Sequence, residues 1–127
     1  MARILLAEDE EALRAFVLRA LMQDGHEVVA TADGGEALDA LTREQGKFDL
    51  LLTDIRMPVM DGIALALAAA RDWPELTILL MTGYADQRER ASGLDALIHD
   101  VITKPFSLAT IRSAVNDALA ACREKVH

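Results

Sequence analysis

Residues 50–62 read Leu50-Leu51-Leu52-Thr53-Asp54-Ile55-Arg56-Met57-Pro58-Val59-Met60-Asp61-Gly62. Leu50, Leu51, Leu52 and Thr53 form a near-continuous apolar run. It predicts a strand covered on both faces, the habit of parallel sheets. The run stops at a carboxylate, Asp54. It then passes Pro58 and Gly62 into an Ala- and Leu-rich helix expected from Gly62 to Arg71.

The same unit of strand, polar strand end and helix repeats on both sides. Upstream, Ile4-Leu5-Leu6-Ala7 ends in Glu8 and Asp9. Leu13, Phe16, Val17, Ala20 and Leu21 then recur at helical spacing as far as Asp24-Gly25. Glu27 to Thr31 predicts a second strand, and Asp33 a cap for a helix carrying Ala37, Leu38 and Leu41. Downstream, Leu76 to Met81 is a fourth strand, followed by Thr82 and Gly83. Ala85 to Leu97 predicts a weakly anchored helix, because it has few large apolar residues. The stretch Leu97 to Ile102 contains a fifth strand, followed by Lys104 and Pro105. Ser107 caps a last helix with Leu108, Ile111, Val115, Ala118 and Leu119 on one face. Residues 1–122 form the expected domain, and Arg123 to His127 a tail.

Five strands alternating with five helices use nearly all of the 127 residues. The expected fold is α/β: a doubly wound five-stranded parallel sheet flanked by five helices, in one three-layer domain. The composition, 52% apolar and 27% charged, is that of a globular protein. A net charge of −8, from 21 acidic and 13 basic residues, disfavours nucleic acid and anionic membranes as partners. Cys122 is the lone cysteine and has no internal disulfide partner. No secretory leader pattern precedes the acidic run Glu8 to Glu11, and no apolar run approaches about 18 residues. A cytoplasmic protein is expected.

In doubly wound sheets, ligands bind beyond the carboxyl ends of the strands, near the point where strand order reverses. The residues there are Glu8 and Asp9, Asp54, Thr82, and Lys104 with Pro105. Three neighbouring carboxylates repel one another, and a hard cation such as Mg²⁺ or Mn²⁺ relieves that repulsion through oxygen ligands. Lys104 and Thr82 suit a phosphoryl group, the one by charge and the other by its hydroxyl. Asp54, on the central strand, is the natural nucleophile for an acyl phosphate. Each residue alone has a plainer reading: Glu8 and Asp9 as helix-start acids, Asp54 as a turn residue, Lys104 as a solvated charge. Asp61-Gly62 lacks the acidic spacing of a calcium loop, and Gly34-Gly35 lacks the lysine of a nucleotide loop. His26, His99 and His127 have no ligand-like spacing. Trp73-Pro74, Phe106 and Cys122 read as packing residues.

Four fragments in order carry a resemblance. They are Leu5-Leu6-Ala7-Glu8-Asp9, Thr53 to Gly62, Leu80-Met81-Thr82-Gly83-Tyr84, and Thr103-Lys104-Pro105-Phe106. Together they make the chain, over essentially its whole length, resemble the receiver domain of bacterial two-component response regulators. The wording is most similar to stand-alone CpdR-type regulators. The resemblance implies a flavodoxin-like strand order, 2-1-3-4-5. It implies that Asp54 accepts a phosphoryl group from a phosphohistidine donor, on a histidine kinase or a histidine phosphotransferase. Asp9, Glu8, Asp54 and the backbone carbonyl of Arg56 would hold the Mg²⁺. Thr82 and Lys104 would contact the phosphoryl group, and the Lys104-Pro105 bond would be cis. One departure stands out. Val101 occupies the position three before the lysine, where many receivers carry Tyr or Phe; Tyr84, the sole tyrosine, is the candidate substitute. Arg56 and Tyr84, two residues after Asp54 and Thr82, are placed to hinder a hydrolytic water.

No output domain follows residue 127, so the switch is expected to act on a separate protein. The resemblance implies an AAA+ protease such as ClpXP. The expected output face is the fourth helix, fifth strand and fifth helix. The chain is expected not to be an enzyme on any external substrate, catalysing only its own phosphorylation and dephosphorylation. The alternative is a phosphoryl shuttle between a histidine kinase and a histidine phosphotransferase. A haloacid-dehalogenase-like phosphatase would want an acid two residues after the nucleophile, where Arg56 stands.

Overall fold

The computed structural model describes residues 2–83, 91–94 and 96–125. Its elements run β1 (Arg3–Ala7), α1 (Glu11–Gln23), β2 (Glu27–Thr31), α2 (Gly34–Arg43), β3 (Leu50–Asp54), α3 (Gly62–Asp72) and β4 (Thr77–Thr82). A 3-10 turn (Ser92–Leu94), β5 (Asp100–Thr103) and the C-terminal helix α4 (Leu108–Lys125) follow. The five strands form one sheet in the order β2-β1-β3-β4-β5, and every neighbouring pair is parallel.

Alternation along the central strands builds the three layers. Ile4, Leu6, Leu50, Leu52 and Leu79 join Val17 and Leu21 of α1 and Ile111 and Val115 of α4 in one core. Leu5, Leu51, Ile78 and Leu80 join Leu41 of α2 and Leu65 of α3 in the other. Successive strand residues point to opposite faces, so an unbroken Leu run feeds both cores. Each fully buried Leu contributes about 1.5–3 kcal/mol. Helix starts follow their sequence signals. Asp33 accepts from the Glu36 amide at 2.8 Å and Asp61 from the Ala64 amide at 2.8 Å; the Ser107 hydroxyl accepts from the Thr110 amide at 3.1 Å.

β2 and β5 lie at the sheet edges and are partly exposed, yet Val28 and Ile102 pack against one core and Val29 and Val101 against the other. The expected helix from Ala85 to Leu97 falls largely outside the described residues; within it, Ser92–Leu94 form a single 3-10 turn. Four α-helices stand among the described residues, against five expected. The last helix runs on to Lys125, past the expected domain end at 122. No helix among the described residues is long and apolar enough to cross a membrane.

Candidate functional site

The strand order reverses between β1 and β3: from β1 the chain steps outward to β2, and from β3 it steps to β4 and β5 on the other side. Glu8 leaves the end of β1, with its amide donating to the Thr31 carbonyl of β2 at 3.1 Å. Asp54 is the last residue of β3, and the Ile55 amide after it donates to the Met81 carbonyl of β4 at 3.0 Å. Thr82 ends β4, and its carbonyl accepts from the Lys104 amide at 2.7 Å. Sheet register therefore carries Glu8, Asp54, Thr82 and Lys104 to one edge. The Lys104-Pro105 bond is cis, as the resemblance implied.

There the side chains meet. The Lys104 ammonium donates to Glu8 Oε1 at 2.8 Å and to Asp54 Oδ2 at 2.9 Å. The Glu8 side chain is wholly buried and that of Asp54 nearly so, whereas Asp9 is exposed. Carboxylate oxygens of Glu8, Asp9 and Asp54 all lie within 4.8 Å of one another. These hard oxygen donors fit a divalent cation such as Mg²⁺. The site opens into a cleft of about 1160 Å³ whose walls include Glu8, Asp9, Asp54, Arg56, Gly83 and Lys104.

Burial sets the electrostatics. Loss of water pushes the Glu8 carboxyl up to about 7, although hydrogen bonds from Lys104 and the Glu10 amide oppose the rise. Burial likewise pushes the Asp54 carboxyl above its ordinary range, against the pull of Lys104. Burial alone would lower the Lys104 ammonium, but its hydrogen bonds to Glu8 and Asp54 outweigh this and hold it above the usual lysine value. One cation thus serves two desolvated acids. A phosphoryl group and a divalent cation could enter here with their charges balanced.

The remaining candidate residues are placed as follows. Thr82 is buried, and its neighbour Gly83 forms the cleft wall. Arg56 is exposed on that wall, and Pro105 lines it too. Val101, in β5, is half-buried against the α2–α3 core. Tyr84 lies outside the described residues. The plainer reading of Glu8 as a helix-start acid holds only in part: Glu8 Oε2 accepts from the Glu10 amide at 3.0 Å, while its other oxygen faces Lys104. Reading the sequence missed Arg14, whose guanidinium donates to the Glu8 carbonyl at 3.0 Å. Its place one helical turn after Glu10 was the available signal. The backbone fit of Gly62 against Asp54 was missed as well. A β-carbon at residue 62 would collide with the Asp54 carbonyl, so α3 can start here only because that atom is absent.

The family model described as the response regulator receiver domain matches residues 4–116. The response regulator receiver protein CpdR of Brucella abortus (strain 2308) is 39% identical over 121 residues, covering 95% of this chain and 99% of that one. A CheY-like response regulator receiver domain protein from Methanospirillum hungatei JF-1 superposes with a TM-score of 0.88 at 28% identity, over 98% of each chain. The response regulator TrrA of Thermotoga maritima, solved in complex with Mg(2+)-BeF, superposes with a TM-score of 0.80 at 26% identity, over 93% of this chain and 99% of that one. The family match takes in β2 to β5 and all of β1 but its first residue, and CpdR aligns from nearly end to end; the chain therefore belongs to the response regulator receiver domain family.

Proposed function

We propose that the chain is a phosphorylation switch whose phosphoacceptor is Asp54. The observation that carries this is the Lys104 ammonium held at 2.8 Å from Glu8 and 2.9 Å from Asp54, with Asp9 beside them. An Asp54 oxygen bonds to phosphorus as the phosphorus–nitrogen bond to a donor histidine breaks. The bonding pair leaves with the imidazole nitrogen, which then takes up a proton. Lys104 exchanges its Asp54 contact for a phosphoryl oxygen, and the Thr82 hydroxyl donates to another. Asp9, Glu8, Asp54 and the Arg56 carbonyl would hold Mg²⁺, which when bound neutralises charge that develops on the transferring group. The likeness to TrrA, solved with Mg(2+)-BeF, supports that choice of cation.

The donor is a histidine kinase or a histidine phosphotransferase. The chain acts on no external substrate and catalyses only its own phosphorylation and dephosphorylation. Phosphorylation adds about −1.5 to −2 charges and three acceptor oxygens. Drawing Thr82 and Lys104 toward those oxygens shifts the ends of β4 and β5 and so a protein-binding surface. The target is a separate protein in the cytoplasm, an AAA+ protease such as ClpXP; the likeness to CpdR, itself a response regulator receiver protein, supports a switch of this kind.

Mass spectrometry after incubation with acetyl phosphate and Mg²⁺ tests the reading. One phosphoryl group should appear on the wild type, and none on Asp54→Asn or after chelation. A wild type that gains no mass overturns it.

A further inference from the structure

Gly34 and Gly35 open α2, although glycine is a poorer helix former than alanine. Neither glycine adopts a left-handed backbone. Their use must therefore lie in what they approach. At Gly34 a β-carbon would collide with the Met60 carbonyl oxygen, and would lie 2.8 Å from the Met60 carbonyl carbon and 2.9 Å from Met60 Cβ. Backbone of α2 and backbone of the β3–α3 loop are in direct contact there. At Gly35 the nearest atom to such a carbon is Val59 Cγ1, at 2.9 Å. That methyl is the end of a side chain 85% exposed, and it can rotate away.

The loop in question runs from Ile55 to Asp61; Met57 is buried in the core within it, and it is held at its base and on its outer flank as well. At its base, the Gly62 amide donates to the Ile55 carbonyl at 2.7 Å, and α3 rests on the Asp54 carbonyl. On its outer flank, Met60 rests on Gly34. Between these points Arg56, Met57 and Pro58 line the cleft. We infer that Gly34 is a positioning residue for the cation site: by admitting the Met60 carbonyl against the start of α2, it fixes the loop that presents Arg56 to Asp54 and Asp9. The inference rests on the reading of this cleft as a Mg²⁺ site. It assigns α2, which contributes no side chain to the cleft wall, a part in cation affinity.

The test is a Mg²⁺ titration of the unphosphorylated full chain, followed by amide resonances, for wild type, Gly34→Ala and Gly35→Ala. Both variants gain the same helix propensity. Gly34→Ala should weaken Mg²⁺ binding about tenfold, the scale seen when residues supporting metal ligands are changed, while Gly35→Ala stays within about twofold of wild type. A Gly34→Ala protein that melts earlier but binds Mg²⁺ as wild type does has lost only packing, and overturns the inference. If Gly34→Ala does not fold, the wild-type titration decides. The Gly34 and Glu36 amides should then move with the same midpoint as those of Arg56 and Met57, and a Gly34 amide that stays still overturns the inference. A wild type that binds no Mg²⁺ overturns this inference together with the reading of the cleft. Equal binding by wild type and Gly34→Ala overturns the inference alone.

Discussion

Lys104 Nζ stands 2.9 Å from Asp54 Oδ2, across 50 residues of sequence, and the same ammonium reaches Glu8 at 2.8 Å across 96. It is the counter-charge of two buried carboxylates. Removing it leaves desolvated acids that answer by binding protons, and a protonated Asp54 is a poor nucleophile.

Lys104→Met should therefore lower the initial rate of phosphoryl gain from acetyl phosphate by about 100-fold, the scale of losing one preorganised donor to a developing anion. The checking measurement is the time course of mass gain at saturating Mg²⁺. A rate within about threefold of wild type would show that Lys104 only packs the site.

Stability should depend on pH through Glu8. Its carboxyl titrates near 4.5 in the unfolded chain and at about 7 in the fold. Between those values the folded state holds more protons, so the group's contribution is complete below the lower value and is lost as pH rises through the higher one. Asp54, also raised by burial, adds the same sign. Without divalent cations, the urea midpoint should fall between about pH 5 and pH 8, and Glu8→Gln should flatten that slope. An unchanged slope in Glu8→Gln would remove Glu8 as its source.

Arg56 is exposed on the cleft wall, two residues beyond Asp54. Under the proposed phosphorylation of Asp54, a long side chain at this position would stand in the path of the water that hydrolyses the acyl phosphate. Arg56→Ala should shorten the phosphorylated lifetime several-fold, read as loss of phosphoryl mass after acetyl phosphate is removed. An equal or longer lifetime would rule out this shielding.

Val59 has φ 70° and is 85% exposed. A β-branched residue is strained in that region, which costs about 1–2 kcal/mol, while little packing is lost on its removal. Against the entropy that glycine gives the unfolded chain, Val59→Gly should still stabilise by about 0.5–1 kcal/mol in urea unfolding. Destabilisation would mean that the Val59 contact with α2 outweighs its strain.

Much of the molecule was readable from the residues. The five strands could be placed because an unbroken apolar run such as Leu50 to Leu52 has few soluble uses besides a doubly covered strand. The caps Asp33 and Ser107 could be named because a short polar side chain satisfies amides within its own turn. The candidate site was legible as residue types at strand ends, since parallel strands deliver those ends to a single edge. The exposure of β2 and β5 was not, because an edge strand differs from a central one in its neighbours rather than in its own residues.

Local chemistry, which a residue shares with those within a few positions of it, was written in the chain: periodicity, caps, and the acids and lysine that end the strands. Pairings across long separations were not. That Lys104 holds Glu8 and Asp54 while Asp9 stays exposed follows from strand register and burial. That Gly34 and Gly62 are small because backbone lies against them follows from how α2 and α3 seat on the β3–α3 loop. Such contacts depend on where packing brings distant backbone to rest, and that is a property of the whole sheet and its two cores.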